Sequence, residues 1–166
     1  MIHLNKLYSE PAVFEPILFK SGINIILGEK SEGSKKTNGV GKSISIEFLN
    51  FCLLKKSSDS RVSLIPKTVI DDDTNILLDF FIAQNRMTVS RNLGHPDSVI
   101  IFKNGTEIKF DNIEDASDFL GNLYFENFPV NETRISFRNL LAPIIRDERS
   151  EFKDIIKCFD TNKKIP

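Results

Sequence analysis

Near the N-terminus the apolar residues come in short runs: "IHLNKLY" (2–8), "FEPILF" (14–19) and "GINIILG" (22–28). Their length and composition predict three strands, with Ser21-Gly22 as a turn between the last two. From Lys42 the period lengthens. Ile44, Phe48, Phe51 and Cys52 fall on one helical face, and Ile46, Leu49 and Leu53 widen it, which predicts a helix buried on most sides. The polar stretch "KKSSDS" (55–60) ends it in a loop. The middle of the chain predicts antiparallel β structure. "NILLDFFI" (75–82), "RMTVSRN" (86–92), "SVIIFK" (98–103) and "EIKF" (107–110) are rich in β-branched and aromatic residues. Asn104-Gly105 joins the last two, because both positions tolerate positive φ in a tight hairpin turn. Beyond Asp111 the pattern turns helical. Asp111 or Asn112 caps "IEDASDFLGNLYF", with Glu114 and Asp115 favourable at the positive helix end. "ISFRNLLAPIIRDERSEFKDIIKCF" (135–159) reads as a further pair of helices interrupted at Pro143.

Composition narrows the picture without deciding it. The length of 166 residues suits one domain with its own core, and 27% charged residues suit a soluble globular protein. A net charge of −1 gives no whole-molecule attraction to nucleic acid, leaving only a local basic face for such a partner. Two isolated His and two Cys make no zinc pattern, and Cys52, within an apolar helical pattern, reads as a buried free thiol. No apolar run approaches membrane-spanning length, and "MIHLNKLYSE" lacks the basic start and apolar core of a signal peptide. A reducing, cytoplasmic location is expected.

Candidate chemistry lies in "IILGEKSEGSKKTNGVGKSISIEFLNF" (25–51). A strand-like run ends at Gly28 and a helix opens near Gly41-Lys42-Ser43, the order that a phosphate-binding loop requires. Twelve residues separate Gly28 from Gly41, where the usual loop has four, and Lys36 stands where the first glycine is expected. Lengthening the loop this far raises closure entropy by only about 1 kcal/mol, so the spacing does not exclude a site. Asn38, Gly39, Val40, Gly41, Lys42, Ser43 and Ile44 are the candidate nucleotide-binding residues, the two glycines letting backbone amides curl around phosphate oxygens. Lys42 then reaches the β and γ phosphates and Ser43 ligates Mg²⁺. Lys35, Lys36 and Thr37 either close over the phosphates or stand in solvent with no ligand.

The string Thr37-Asn38-Gly39-Val40-Gly41-Lys42-Ser43 resembles the x-N-G-x-G-K-S form of the SMC/Rad50/RecF ATPases in the ABC superfamily. Gly22-Ile23-Asn24-Ile25-Ile26-Leu27-Gly28 resembles the G-x-N-x-I-x-G that precedes the loop in that group. "IEFLNFCLL" and "SFRNLLAPIIR" look most like bacterial coiled-coil ATPases related to Rad50, some of which occur in multi-component, defence-type systems. The resemblance implies an α/β fold over residues 1–166: the N-terminal lobe of a P-loop ABC-type ATPase, with a mixed sheet, antiparallel β hairpins wrapped around the P-loop helix, and C-terminal helices. It implies ATP and Mg²⁺ as ligands and a C-terminal ATPase lobe, of the same or another chain, as partner. It further implies nucleotide-dependent dimerisation of heads, with DNA as a possible substrate that the charge does not support.

The sequence departs from that family where hydrolysis is carried out. Hydrolysis there needs an apolar strand ending in Asp-Glu and a Ser-Gly-Gly-like signature. "TVIDDDTN" (68–75) has too short an apolar run before Asp71 and reads as a turn, and no signature occurs. Gln84 lies between strands, out of place for the family's glutamine loop. Arg138 and Asn139 occupy the right region, either in that role or as surface helix residues. Tyr8 to Val13 matches, in position only, the segment near adenine and ribose in related heads. Two further readings stay open: a non-hydrolysing nucleotide-binding regulatory module and a DNA-binding structural protein.

Overall fold

The computed structural model describes residues 1–26, 42–125 and 136–141. Its centre is a six-stranded antiparallel sheet. In chain order the strands are β1 (Ile2–Glu10), β2 (Ile17–Leu18), β3 (Asn75–Ile82), β4 (Asn85–Asn92), β5 (Val99–Lys103) and β6 (Thr106–Phe110). In space they run β2-β1-β3-β4-β5-β6. The helices are α1 (Lys42–Cys52), α2 (Ile113–Tyr124) and the short α3 (Phe137–Leu141).

Alternation sets the register. Leu7 faces Leu78, which faces Val89, which faces Ile101, so one apolar row crosses four strands. The next row on the same face is Ile76, Arg91, Val99 and Phe110. Onto this face α1 brings Phe48, Phe51 and Cys52, and α2 brings Ile113, Ala116 and Leu120. Phe14 stacks on Phe48, and Phe110 meets Phe119. The opposite face carries Tyr8, Asp79, Phe81, Thr88 and Ile100 and is partly open to solvent.

The hairpins close as their residues allow. Asn104 and Gly105 both have positive φ between β5 and β6, as the turn requires. Ala83-Gln84 turns β3 into β4, with Ala83 at φ 52°. Asp71–Asp73 is a turn, its Asp71 carboxylate accepting from the Asp73 amide. Asn112 caps α2: its side-chain oxygen accepts from the Asp115 amide at 2.8 Å. Substituting Asn112→Ala leaves that donor to water and is expected to cost about 1 kcal/mol, read as a lower urea midpoint at an unchanged m-value.

Several expectations are corrected. Among the described residues the sheet is antiparallel throughout rather than mixed. "FEPILF" yields only the two-residue β2, since Pro16 has no amide to donate at the position just before it. Residues 21–26 form a bend and coil instead of a strand: Ile23 is 92% exposed and Ile25 75%. A strand needs a neighbour to satisfy its amides, and no described residue pairs with this run. Helix α1 is less enclosed than its sequence predicts, because Ile46 and Ser43 lie exposed. The loop after it holds two 3-10 turns, Ser57–Asp59 and Arg61–Leu64. Residues 142–159, expected to be helical, lie outside the described residues, apart from which α3 confirms helix at 137–141.

Candidate nucleotide site at the start of the first helix

Helix α1 begins at Lys42, with Ser43 in its first turn carrying an exposed side chain and Ile44 half-buried. Lys35, Lys36, Thr37, Asn38, Gly39, Val40 and Gly41 lie outside the described residues. The first turn of α1 carries the positive end of the helix dipole next to Ser43, and the rest of the helix fixes where that end sits.

The anchoring is extensive. Glu47, one turn beyond Ser43 and buried, accepts from Ser60 Oγ at 3.0 Å and from the Arg61 amide at 3.1 Å. Lys55 Nζ adds an ion pair at 3.3 Å. These contacts lash the 3-10 turns to the flank of α1. Asn50 is fully buried, and its Oδ1 accepts from Arg138 Nη2 at 2.8 Å. Arg138 is thus partly buried and joined to α1, not a surface helix residue, and Asn139 lies beside it in α3. Ser117 Oγ in turn accepts from the Phe137 amide, tying α3 to α2.

The far end of α1 is held by Arg91, which is 0% exposed. Its guanidinium lies 3.7 Å from the centre of the Phe51 ring. It donates to the Phe51 carbonyl at 2.5 Å, to the Lys55 carbonyl at 2.7 Å and to the Pro96 carbonyl. Burial lowers its pKa to about 10, which leaves it charged at neutral pH. A cation seated on the last carbonyls of α1 complements the negative end of the helix dipole. Cys52 beside it is a buried free thiol, as expected, and burial pushes its pKa up to about 12. In a Cys158→Ser background a thiol reagent at neutral pH should leave native Cys52 unlabelled and modify it only in denaturant. Rapid native labelling would show this part of the core to be open.

Sequence reading missed Glu47, Asn50 and Arg91. One signal was available for Arg91: it follows Met87 and Val89 at a period of two, which sets it on the inward face. Gln84 lies in the exposed β3–β4 turn. Tyr8 sits on the sheet face opposite α1, with Lys6 Nζ 4.2 Å from its ring centre. Its phenol pKa is raised, first by burial and then by the Asp79 carboxylate. Among the described residues no group of acidic, His or Cys side chains is arranged to hold a metal ion. Nor is any described helix long and apolar enough to cross a membrane.

No family model matches the chain, and no solved structure matches it. Over 140 residues, 81% of its length, the chain is 33% identical to "Uncharacterized protein YydD" of Bacillus subtilis (strain 168). The match spans 23% of that relative, so the chain corresponds to less than a quarter of its length.

Proposed function

We propose that this chain is the ATP–Mg²⁺-binding N-terminal lobe of an SMC/Rad50-like, ABC-type ATPase head. The observation that carries this reading is the union of the Asn38–Ser43 string with a helix whose first residue is Lys42. In a phosphate-binding loop that is where the lysine must stand, so that helix amides and ammonium converge on the same oxygens. Residues Asn38 to Ile44 wrap the phosphates, Lys42 neutralises the β and γ oxygens, and Ser43 ligates the metal ion. ATP then clamps two completed heads together, and hydrolysis releases them to move attached coiled coils, with DNA as one candidate cargo.

The exposed run just before the loop supports the idea of half a head. Ile23, Ile25 and Ile26 carry the side chains of a buried strand but stand in solvent. Asn24 holds the preceding bend closed, accepting from the Lys20 amide and donating to the Lys20 and Gly22 carbonyls. Such a run fits a strand whose neighbours come from a second lobe.

An ATPase of this type needs groups that position water and stabilise the in-line transition state, and they belong to that second lobe. The 166-residue chain alone is expected to turn over ATP weakly or not at all. Robust hydrolysis by the chain alone, abolished by Lys42→Ala, would overturn the half-head reading while keeping the nucleotide site. A second reading is a nucleotide-binding regulatory module that never hydrolyses. Restoration of turnover on adding the rest of a longer chain separates the two.

A further inference from the structure

On the sheet face opposite α1 a hollow of about 380 Å³ opens between β3, β4 and β5. It is lined by Asn75, Ser90, Asn92, His95, Ser98 and Ile100. Each strand residue among them alternates with an inward-facing neighbour, Ile76, Arg91 or Val99, so the hollow and the helix lie on opposite faces. Its size falls at the small end of the roughly 300–1,000 Å³ that ligand pockets occupy.

The walls are fixed before any ligand arrives. Asn92 Oδ1 accepts from the Gly94 and His95 amides, at 2.9 and 3.0 Å, while its Nδ2 donates to Asn75 Oδ1 at 3.1 Å. Gly94 packs so closely on the Asp71–Asp73 turn that an added Cβ would sit 3.1 Å from Asp72 atoms. From beneath, Arg91 Nε donates to the Pro96 carbonyl at 3.0 Å. Three tethers thus hold the β4–β5 loop that brings His95 and Ser98 to the rim. Asn75 Nδ2 and Ser90 Oγ make no hydrogen bond within the described residues and line the hollow.

The chemistry of this lining is selective. It contains no lysine, arginine or carboxylate, and His95 on the rim is its one titratable side chain, so no fixed charge there selects a charged ligand. Asn75 offers its Nδ2 donor beside an Oδ1 that keeps one lone pair after accepting from Asn92 Nδ2, Ser90 offers a donor or an acceptor, and Ile100 supplies an apolar surface. A carboxamide of this kind matches the paired donor and acceptor on the edge of a base. We propose that this hollow binds an uncharged nucleobase, as a site separate from the phosphate loop.

The test is an amide NMR titration of the ¹⁵N-labelled chain with adenosine, guanosine, cytidine and uridine, which lack phosphates and so leave the helix start unengaged. At least one nucleoside should give saturable shifts at Asn75, Ser90 and Ser98. Asn75→Ala and Ser90→Ala should each weaken that binding about tenfold. A short single-stranded oligonucleotide binding more tightly than its nucleoside assigns the base to a strand, and equal affinity assigns it to a free nucleoside. No saturation, equal binding of a monosaccharide, saturation insensitive to both variants, or shifts centred on Ser43 and Ile44 would each overturn the proposal.

Discussion

Arg91→Ala is expected to destabilise the chain by about 3–5 kcal/mol, more than any surface change. The side chain fills space against the Phe51 ring and is fully buried. Its removal leaves the Phe51, Lys55 and Pro96 carbonyls short of donors, at roughly 1–3 kcal/mol for each buried group that water cannot reach. The desolvation of the guanidinium is recovered at the same time, which keeps the net loss below the sum. Arg91→Met restores much of the volume without the hydrogen bonds and should fall between alanine and the native residue. Urea unfolding of the three proteins checks this order. A loss below about 1 kcal/mol for alanine would mean that Arg91 does not hold the end of α1.

The second large effect is on ligand binding. Lys42→Ala should weaken ATP–Mg²⁺ binding by about tenfold to a hundredfold, the range for losing a hydrogen-bonded charge on a polyanion. Lys42 is the first residue of α1, and the buried residues of that helix begin at Glu47 and Phe48, with Ile44 packed at the edge of the core. Stability without nucleotide should therefore change little. Equilibrium titration with ATP–Mg²⁺ against both proteins measures the ratio. Equal affinity would remove Lys42 from the site.

Most of the sheet was legible in the sequence because its strands alternate. In β3 to β5 the inward residues Ile76, Leu78, Val89, Val99 and Ile101 fall at every second position of their strands, and Asn104-Gly105 marks its own turn. Helix α2 was legible from its cap and its apolar period. The first strands were less so. Only Ile17–Leu18 pair with β1 after Pro16, and the run at Ile23–Ile26 has strand composition without a strand neighbour among the described residues. Composition describes what a segment can bury, whereas pairing depends on which other segments are present.

The candidate site divides in the same way. The helix start at Lys42 and Ser43 is legible from a contiguous string. The groups that fix α1 come from far along the chain: Arg91 and Arg138 lie 40 and 88 residues from the α1 groups they hold. Nothing in the local sequence of α1 announces either. Glu47 resembles any helical glutamate until Ser60 and Arg61 fold back onto it.

Thermal melting with and without ATP–Mg²⁺, in the native chain and in Lys42→Ala, tests the nucleotide site most directly. At a hundredfold excess over its dissociation constant, nucleotide should stabilise the native chain by about 2.7 kcal/mol, or roughly 5–10 °C, and the variant far less. An equal rise in both proteins, or a flat melting temperature in the native chain at every ATP–Mg²⁺ concentration, would contradict a phosphate-binding loop at the start of α1.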